Sequence, residues 1–592
     1  MNVLTANLLA AGVPWHMLDT VVLAAFFIGM IIVVVWSMMK KEESSADYFL
    51  AGKSASWIEI GSSIFASNIG SEHLVGLAGA GFVSGMAMAH WEMHAWLILV
   101  LGWVFVPFYD RIKVFTMPEF LEHRFSAGSR SILSIISLVS YVLTKVAVTV
   151  YSGGVVFGTV FGIDEVPAGV PLIGGMNMFW VSAIGLVVIT GIYTIAGGMR
   201  AIMYTSVLQT PVLLIGSILI LFLGLKAVGG WSEVEKICGA KCQLVRPLSD
   251  KQFPWLGVLF GSMIIGFWYW CTDQYIVQRV LSGKNQMHAR RGSILAGYFK
   301  LLPVFIFLVP GMIAFALSQK GLLDMPLNSA GQPDADKAFS TLVAQLLPIG
   351  FKGVVVCGLL AALMSSLASL FNSSAALFVG DFYKKIHPKA SEGHLVVIGR
   401  IATATVVVLG ILWIPVMKKF SDVLYQYLQN VQGLLAPAIA AAFAVGVFWK
   451  RATPAAGLWG LIVGFSLGMF RLALDVIIGG KISAAGKLPE TEQAAKLLEL
   501  QQQYGLFYSI ETINWLYVCE ILFIICVLTM VIVSLMSKAP TSQQLKYTYY
   551  GATPQEKAET RASWNGWDIV HSVIILGIII AFYAYFWNRG AQ

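Results

Sequence analysis

Residues 64–81 read IFASNIGSEHLVGLAGAG, a stretch apolar enough for hydrocarbon that nonetheless carries Ser67, Asn68, Ser71, Glu72 and His73 at its centre. Polarity inside a membrane span is costly and by default marks a pathway or site. Gly61, Gly70, Gly76, Gly79 and Gly81 also make the span 56–81 a poor continuous helix, so an interrupted helix is expected here. A second interruption is expected in FGSMIIGFWYWCTDQ, 260–274.

Working outward, the 592-residue chain is 57% hydrophobic and only 12% charged, with a mean hydropathy of +0.76. An ordinary soluble domain has roughly 25% charged residues. Apolar runs of about 20 residues, each long enough to cross a bilayer as a helix, fall at 18–38, 56–81, 88–108, 131–160, 176–196, 205–228, 254–273, 292–318, 350–380, 395–416, 423–447, 455–479, 512–536 and 567–588. The expected fold class is therefore an all-α polytopic membrane protein with fourteen transmembrane helices. Three polar stretches, 229–253, 480–511 and 538–566, are too short to form a domain. Function must reside in the helix bundle, and no enzyme domain is expected.

No Lys or Arg precedes the first run, so it lacks the basic flank of a cleaved signal peptide and reads as a helix that stays. Lys40 and Lys41 follow it, which predicts an outside N-terminus. Fourteen spans then put the C-terminus outside as well, and on this topology Lys and Arg are more numerous in the cytoplasmic loops. The net charge of +8 reflects that orientation and contact with the lipid bilayer. Nucleic acid is excluded as a partner, because no loop combines a long basic run with interleaved aromatics.

Five spans from 56 to 228 and five from 254 to 447 form two groups of odd number, which insert with opposite orientation. Broken first helices at matching positions of such an inverted repeat point to a transport site at the bilayer midplane. The run GLLAALMSSLASLFNSS, 358–374, places Ala362, Ser365 and Ser366 on one helix face. Two hydroxyls together with carbonyls freed by a break near Ala66 to Gly70 suit a hard monovalent cation. Serines that bond back to their own helix or allow close packing are the competing reading, and for the serine run alone the stronger one. The absence of a carboxylate among these residues argues for Na+ over H+ coupling.

Among the cysteines, Cys271, Cys357, Cys519 and Cys526 read as small buried hydrophobes. Cys238 and Cys242, in ICGAKCQ, are open between a local disulfide and a free pair. Arg471 and Asp475 read as an intrahelical i, i+4 ion pair. HWEMH, 90–94, does not match the HExxH zinc helix, and its histidines read as structural.

The motifs FASNIGSEHLVGLAGAG, LGWVFVPFY, TMPEFLEHRF, YTIAGGMRAIMYTSVLQT, WYWCTDQYIVQRVLSGKN, GYFKLLPVFIFLVPGM, ALMSSLASLFNSS and FWKRATPAAGLWG resemble the sodium/glucose cotransporters of the sodium-solute symporter family, in order from about 45 to 475. The resemblance implies a LeuT-like core of five plus five helices, divided as follows: an N-terminal helix and loop, 1–55; a first repeat, 56–230; an outer loop, 231–253; a second repeat, 254–450; and three further helices, 451–592. By resemblance, Na+ would be held by the carbonyls of Ala66, Ile69 and Ala362 and the hydroxyls of Ser365 and Ser366. Asn68, His73, Glu92, Tyr269, Trp270, Lys300 and Gln429 would contact a sugar, with Tyr269 as an inner gate whose hydroxyl Asn68 holds. These residue types suit hydroxyls that both donate and accept.

The expected function is Na+-coupled import of a monosaccharide by a monomer, in the cell membrane of a bacterium. Myo-inositol, sialic acid and amino acids are alternative solutes, and a sugar sensor that passes Na+ without stoichiometric uptake is a rival of another class. The chain departs from the family pattern in having Ser206 where members that couple two Na+ carry Asp, and Ala368 where a Thr can stand. These imply one Na+ per sugar. Gly266, Gln426 and Gln432 also depart, and leave the sugar open.

Overall fold

The computed structural model describes residues 15–589 except 40–43, 71, 147, 151, 155–177, 329–330, 418–423 and 487. The decisive element is the first broken helix. Ser56 caps its start by accepting the Glu59 N–H, while the Glu59 carboxylate takes the Ser56 N–H at 2.5 Å, a reciprocal cap that satisfies two otherwise unpaired donors. The helix runs over Trp57–Asn68 and stops where Ile69 turns to extended backbone, φ −77° and ψ 95°. It restarts as His73 and Leu74 donate to the Gly70 carbonyl at 3.1 and 3.3 Å. A wide turn, Glu72–Leu77, then leads into Ala78–Ser84.

The second broken helix follows the same plan at the far end of its expected window. Trp255–Phe267 continues through a wide turn, Trp268–Thr272, and ends at Asp273, φ −76° and ψ 128°. The Asp273 carboxylate accepts the Tyr275 N–H and caps a new helix, Gln274–Leu281.

Among the described residues, eleven helical segments are long and apolar enough to cross a membrane, against fourteen expected spans. The difference has a structural cause. The second and third expected spans run together over Glu72–Ile112, and the fifth and sixth over Ala183–Val228, where Gly198, with φ +50°, bends an otherwise unbroken helix. In the fourth, the apolar helix Ala127–Ser140 is too short to be counted. Burial sorts the bundle into a centre and a rim. The most apolar stretch of Phe351–Ile386, which carries the serine run, is 94% buried, whereas that of Met17–Met38 is 22% buried and turns its apolar side chains outward.

Glycine serves the fold in a different way from the one expected. Within 57–81 the described residues leave helical geometry around Ile69 and Gly70; Gly81 lies inside a helix and lets two backbones touch. A β-carbon on Gly81 would stand 2.2 Å from the Leu308 carbonyl oxygen, and one on Gly311 would stand 1.9 Å from that of Ala78. Without a hydrophobic force between helices in lipid, this close packing holds them together. TMPEFLEHRF also finds a structural use: the buried Arg124 guanidinium donates to the carbonyls of Gly446, Trp449 and Ala452 at 2.8–2.9 Å and so closes the end of helix Leu424–Phe448. Cys238 and Cys242 are both free and buried. The polar stretch 480–511 is largely helical, with Glu490–Tyr504 as its longest segment.

Gly311→Val should abolish the contact with Ala78. The expected outcome is loss of monodisperse protein in size-exclusion chromatography, while Gly577→Val, at a glycine with no neighbour within 4 Å, leaves the profile unchanged.

Candidate functional site

Two polar clusters meet at the first break. On one side, the Ser366 hydroxyl donates across to the Ser67 carbonyl at 2.9 Å and lies 3.5 Å from that of Ile69. Ser369, by contrast, bonds back to its own helix at the Ser365 carbonyl, 2.7 Å away. Ser369 thus bonds back to its own helix while its oxygen also meets the Ser67 hydroxyl at 2.8 Å, and Ser366 spends its hydroxyl on the neighbouring helix. Ser365 faces Ser206 at 3.5 Å between hydroxyl oxygens, and Ala362 lies buried one turn away on the same face. Gly70 is required here: a β-carbon on it would come within 2.8 Å of the Ser366 oxygen.

The break is also tied to the second broken helix. The Tyr275 hydroxyl donates to the Ser67 carbonyl, and the Arg279 guanidinium donates to the Ser67 hydroxyl at 2.8 and 3.1 Å. Ser369 completes this group at 2.8 Å from the same hydroxyl. Sequence reasoning did not assign Ser67, Tyr275, Arg279 or Ser369. The polarity of the stretch 64–81 flagged Ser67, but no local signal links it to residues more than 200 positions away.

On the other side of the break lies a cavity of about 40 Å³, below the ~300–1,000 Å³ of a typical small-molecule pocket and drawn in around its polar walls. All seven residues expected to contact the solute, Asn68, His73, Glu92, Tyr269, Trp270, Lys300 and Gln429, line it. Lys300 does not snorkel outward; its ammonium meets the Glu92 carboxylate at 2.6 Å and stands 5.3 Å from the Trp270 ring centre. His73 Nε2 lies 3.4 Å from a Glu92 carboxylate oxygen and 3.4 Å from the Asn68 amide nitrogen. Asn68 is thus turned to His73, and the Tyr269 hydroxyl has no hydrogen-bond partner among the described residues, unlike the expected Asn68–Tyr269 pairing. Tyr269 instead packs edge-on to Trp270 at 4.9 Å, with the Lys145 ammonium 4.5 Å from its ring centre. Lys145 is itself paired with Asp273 at 2.9 Å.

Buried polar atoms without partners collect in the cavity wall: the Tyr269 hydroxyl, the Gln429 side-chain oxygen, His73 Nδ1 and Trp91 Nε1. Such atoms are rare in a finished core and mark a place that another polar molecule completes. Glu72, Trp91, His94, Gly266 and Gln432 also line the cavity and were missed as contacts, although Gly266 and Gln432 stood out as departures. The side chain of Gln426 lies outside the described residues. Arg471 keeps its expected partner Asp475 at 2.6 Å and adds Glu511, so the pair is part of a cluster that ties the C-terminal helices together.

A family model for the sodium:solute symporter family matches residues 48–464. The chain belongs to the sodium:solute symporter family. Among its relatives are sodium/glucose cotransporter 1 of Oryctolagus cuniculus, 36% identical over 88% of this chain and 78% of that protein, and sodium/myo-inositol cotransporter 2 of the same species, 35% identical over 84% and 74%. A Na+-coupled sialic acid symporter, solved in a substrate-bound outward-open state, shares the fold with a TM-score of 0.70 at 19% identity, over 89% of this chain and 99% of that one. The symporter is accordingly a multi-pass membrane transporter coupled to Na+, and not an enzyme.

Removing either member of the Glu92–Lys300 pair leaves the other charge buried and unpaired, at a cost of about 3–5 kcal/mol. Glu92→Gln and Lys300→Met should each lower the melting temperature in detergent, and the double substitution should cost clearly less than the sum, as measured by a double-mutant cycle.

Proposed function

We propose that this symporter imports a monosaccharide, with one Na+ per sugar. The reading rests above all on the state of Lys300. Its charge is already met by Glu92, so among the described residues the cavity wall offers an anionic solute no free cation. A neutral polyol needs none. Its hydroxyls can pair with the partnerless atoms of Tyr269, Gln429 and His73, since each hydroxyl both donates and accepts. The relatives that carry glucose or myo-inositol in their names fit this chemistry, and it disfavours an anionic solute such as sialic acid.

For the ion, the carbonyls of Ala66, Ile69 and Ala362 and the hydroxyls of Ser365 and Ser366 form the candidate set. The placement of Ser366 against the Ile69 carbonyl supports it. Ser206 brings a hydroxyl and no carboxylate beside Ser365, which disfavours a second cation, in line with single-ion coupling. The protein works as a monomer, with both termini on the outer face of a bacterial inner membrane, as the basic loops suggest. Its first repeat spans 56–230 and its second 254–450.

Na+ bound between the broken helix and the serine helix stabilises a form open to the outside. Sugar then binds, Tyr269 covers it from the cytoplasmic side, and the repeats rock to release both inward. One charge moved through 100 mV contributes about 2.3 kcal/mol and a tenfold Na+ gradient about 1.4 kcal/mol, sufficient for accumulation of roughly several hundredfold.

Uptake of labelled glucose and related sugars into proteoliposomes under an imposed Na+ gradient tests this. Accumulation with a charge-to-sugar ratio of one is expected; current without accumulation would identify a sensor, and a ratio of two would overturn single-ion coupling. Lys300→Ala and Gln429→Ala should impair sugar uptake. Ser365→Ala should mainly raise the Na+ concentration for half-maximal uptake, by about tenfold for one lost ligand.

A further inference from the structure

The two histidines of HWEMH, 90–94, have different fates. His90 spends both ring nitrogens within the protein, Nδ1 with the Tyr583 hydroxyl at 2.7 Å and Nε2 with the Leu244 carbonyl at 3.0 Å. His94 spends one. Its Nε2 meets the Ser262 hydroxyl at 3.2 Å, and its Nδ1 has no hydrogen-bond partner among the described residues. The ring lines the same cavity as Glu92 and Lys300 and is 5% exposed.

What makes room for the ring is Gly266. A β-carbon there would stand 2.6 Å from His94 Nδ1, closer than real side chains approach. Ser262 and Gly266 lie one turn apart on one face of helix Trp255–Phe267. That face therefore pins the imidazole at one nitrogen and, at Gly266, leaves room for the ring itself. We propose that His94 is a substrate-contacting, specificity-determining residue, and that Gly266 is glycine so that the imidazole can stand in the cavity and read one hydroxyl of the solute through Nδ1. This rests on the sugar-symport reading above.

The chemistry favours a hydroxyl as the group read. The Ser262 hydroxyl can donate to or accept from Nε2, so Nδ1 is left as acceptor in one tautomer and donor in the other. A sugar hydroxyl pairs with either. Removal of that hydroxyl leaves Nδ1 unpaired in a buried site, which lowers affinity by roughly ten- to hundredfold.

The test is competition against labelled glucose uptake in proteoliposomes by a panel of monodeoxyglucoses, one for each hydroxyl. The parent should discriminate against several positions. His94→Ala should lose the penalty at one position and keep the others. His94→Asn, whose amide reaches where Nδ1 stands, should restore part of it. Gly266→Ala should blunt discrimination at that same position by pushing the ring aside, and the double variant His94→Ala/Gly266→Ala should discriminate no less than His94→Ala. If His94→Ala does not reach the membrane, Ser262→Ala, which releases Nε2, must weaken the same position. Unchanged penalties in His94→Ala, an equal weakening at every position, or an effect of Gly266→Ala at another position each overturn the assignment alone. A parent that takes up no sugar on a Na+ gradient overturns the sugar reading and this assignment with it.

Discussion

The structure depends on how the backbone oxygens freed at the first break are met. In hydrocarbon no water is available to a helix that stops midway, so each freed carbonyl must find a donor within the protein. Ser366 supplies one from the serine helix and Tyr275 another from the second broken helix, both onto Ser67. The second discontinuity, capped by Asp273, is thereby fastened to the first. Neither break can shift without leaving polar groups unpaired in the other, which gives two backbone discontinuities a single defined arrangement.

Charge follows the same constraint. Around the cavity, Lys300 stands against Glu92, and beside the second break Lys145 stands against Asp273, with the Tyr269 and Tyr275 rings 4.5 and 4.2 Å from its ammonium. Among the described residues Arg279 has no carboxylate within ion-pair distance; the Ser67 hydroxyl and the face of Tyr275, 5.0 Å away, take its place. Buried ion pairs add little net stability over apolar residues of equal volume. Their value here lies in the field they leave: a cavity wall that is polar, rich in donors and acceptors and, among the described residues, without a free cation for an anionic solute.

Much of the site was legible because lipid makes polarity conspicuous. Ser67 and Asn68 in an apolar span, two hydroxyls in ALMSSLASLFNSS and a lone lysine at 300 all stand out against their surroundings, and the motif resemblance named the residues that line one cavity. The pairings were less legible. Asn68 turns to His73 and away from Tyr269, His94 enters the cavity while His90 does not, and Arg471 gathers Glu511 from 40 residues away. A histidine at i and another at i+4 look alike in a string of letters. They differ only in what the neighbouring helices place beside them.

By itself, then, the sequence determined that this chain lives in a bilayer, that a helix breaks within 64–81, and that a serine pair and a cluster of polar residues are too costly in lipid to be incidental. These are local properties, set by the transfer cost of each group and the period of a helix. Only the tertiary structure decided which oxygen meets which donor, because Ser67 and Ser366 are 299 residues apart and their contact depends on how closely backbones can approach. That approach is controlled by absent side chains. Gly70 admits the Ser366 hydroxyl, Gly266 admits the His94 ring, and Gly81 and Gly311 bring two helices into contact, so the shape of the site follows from where the bundle can pack most tightly.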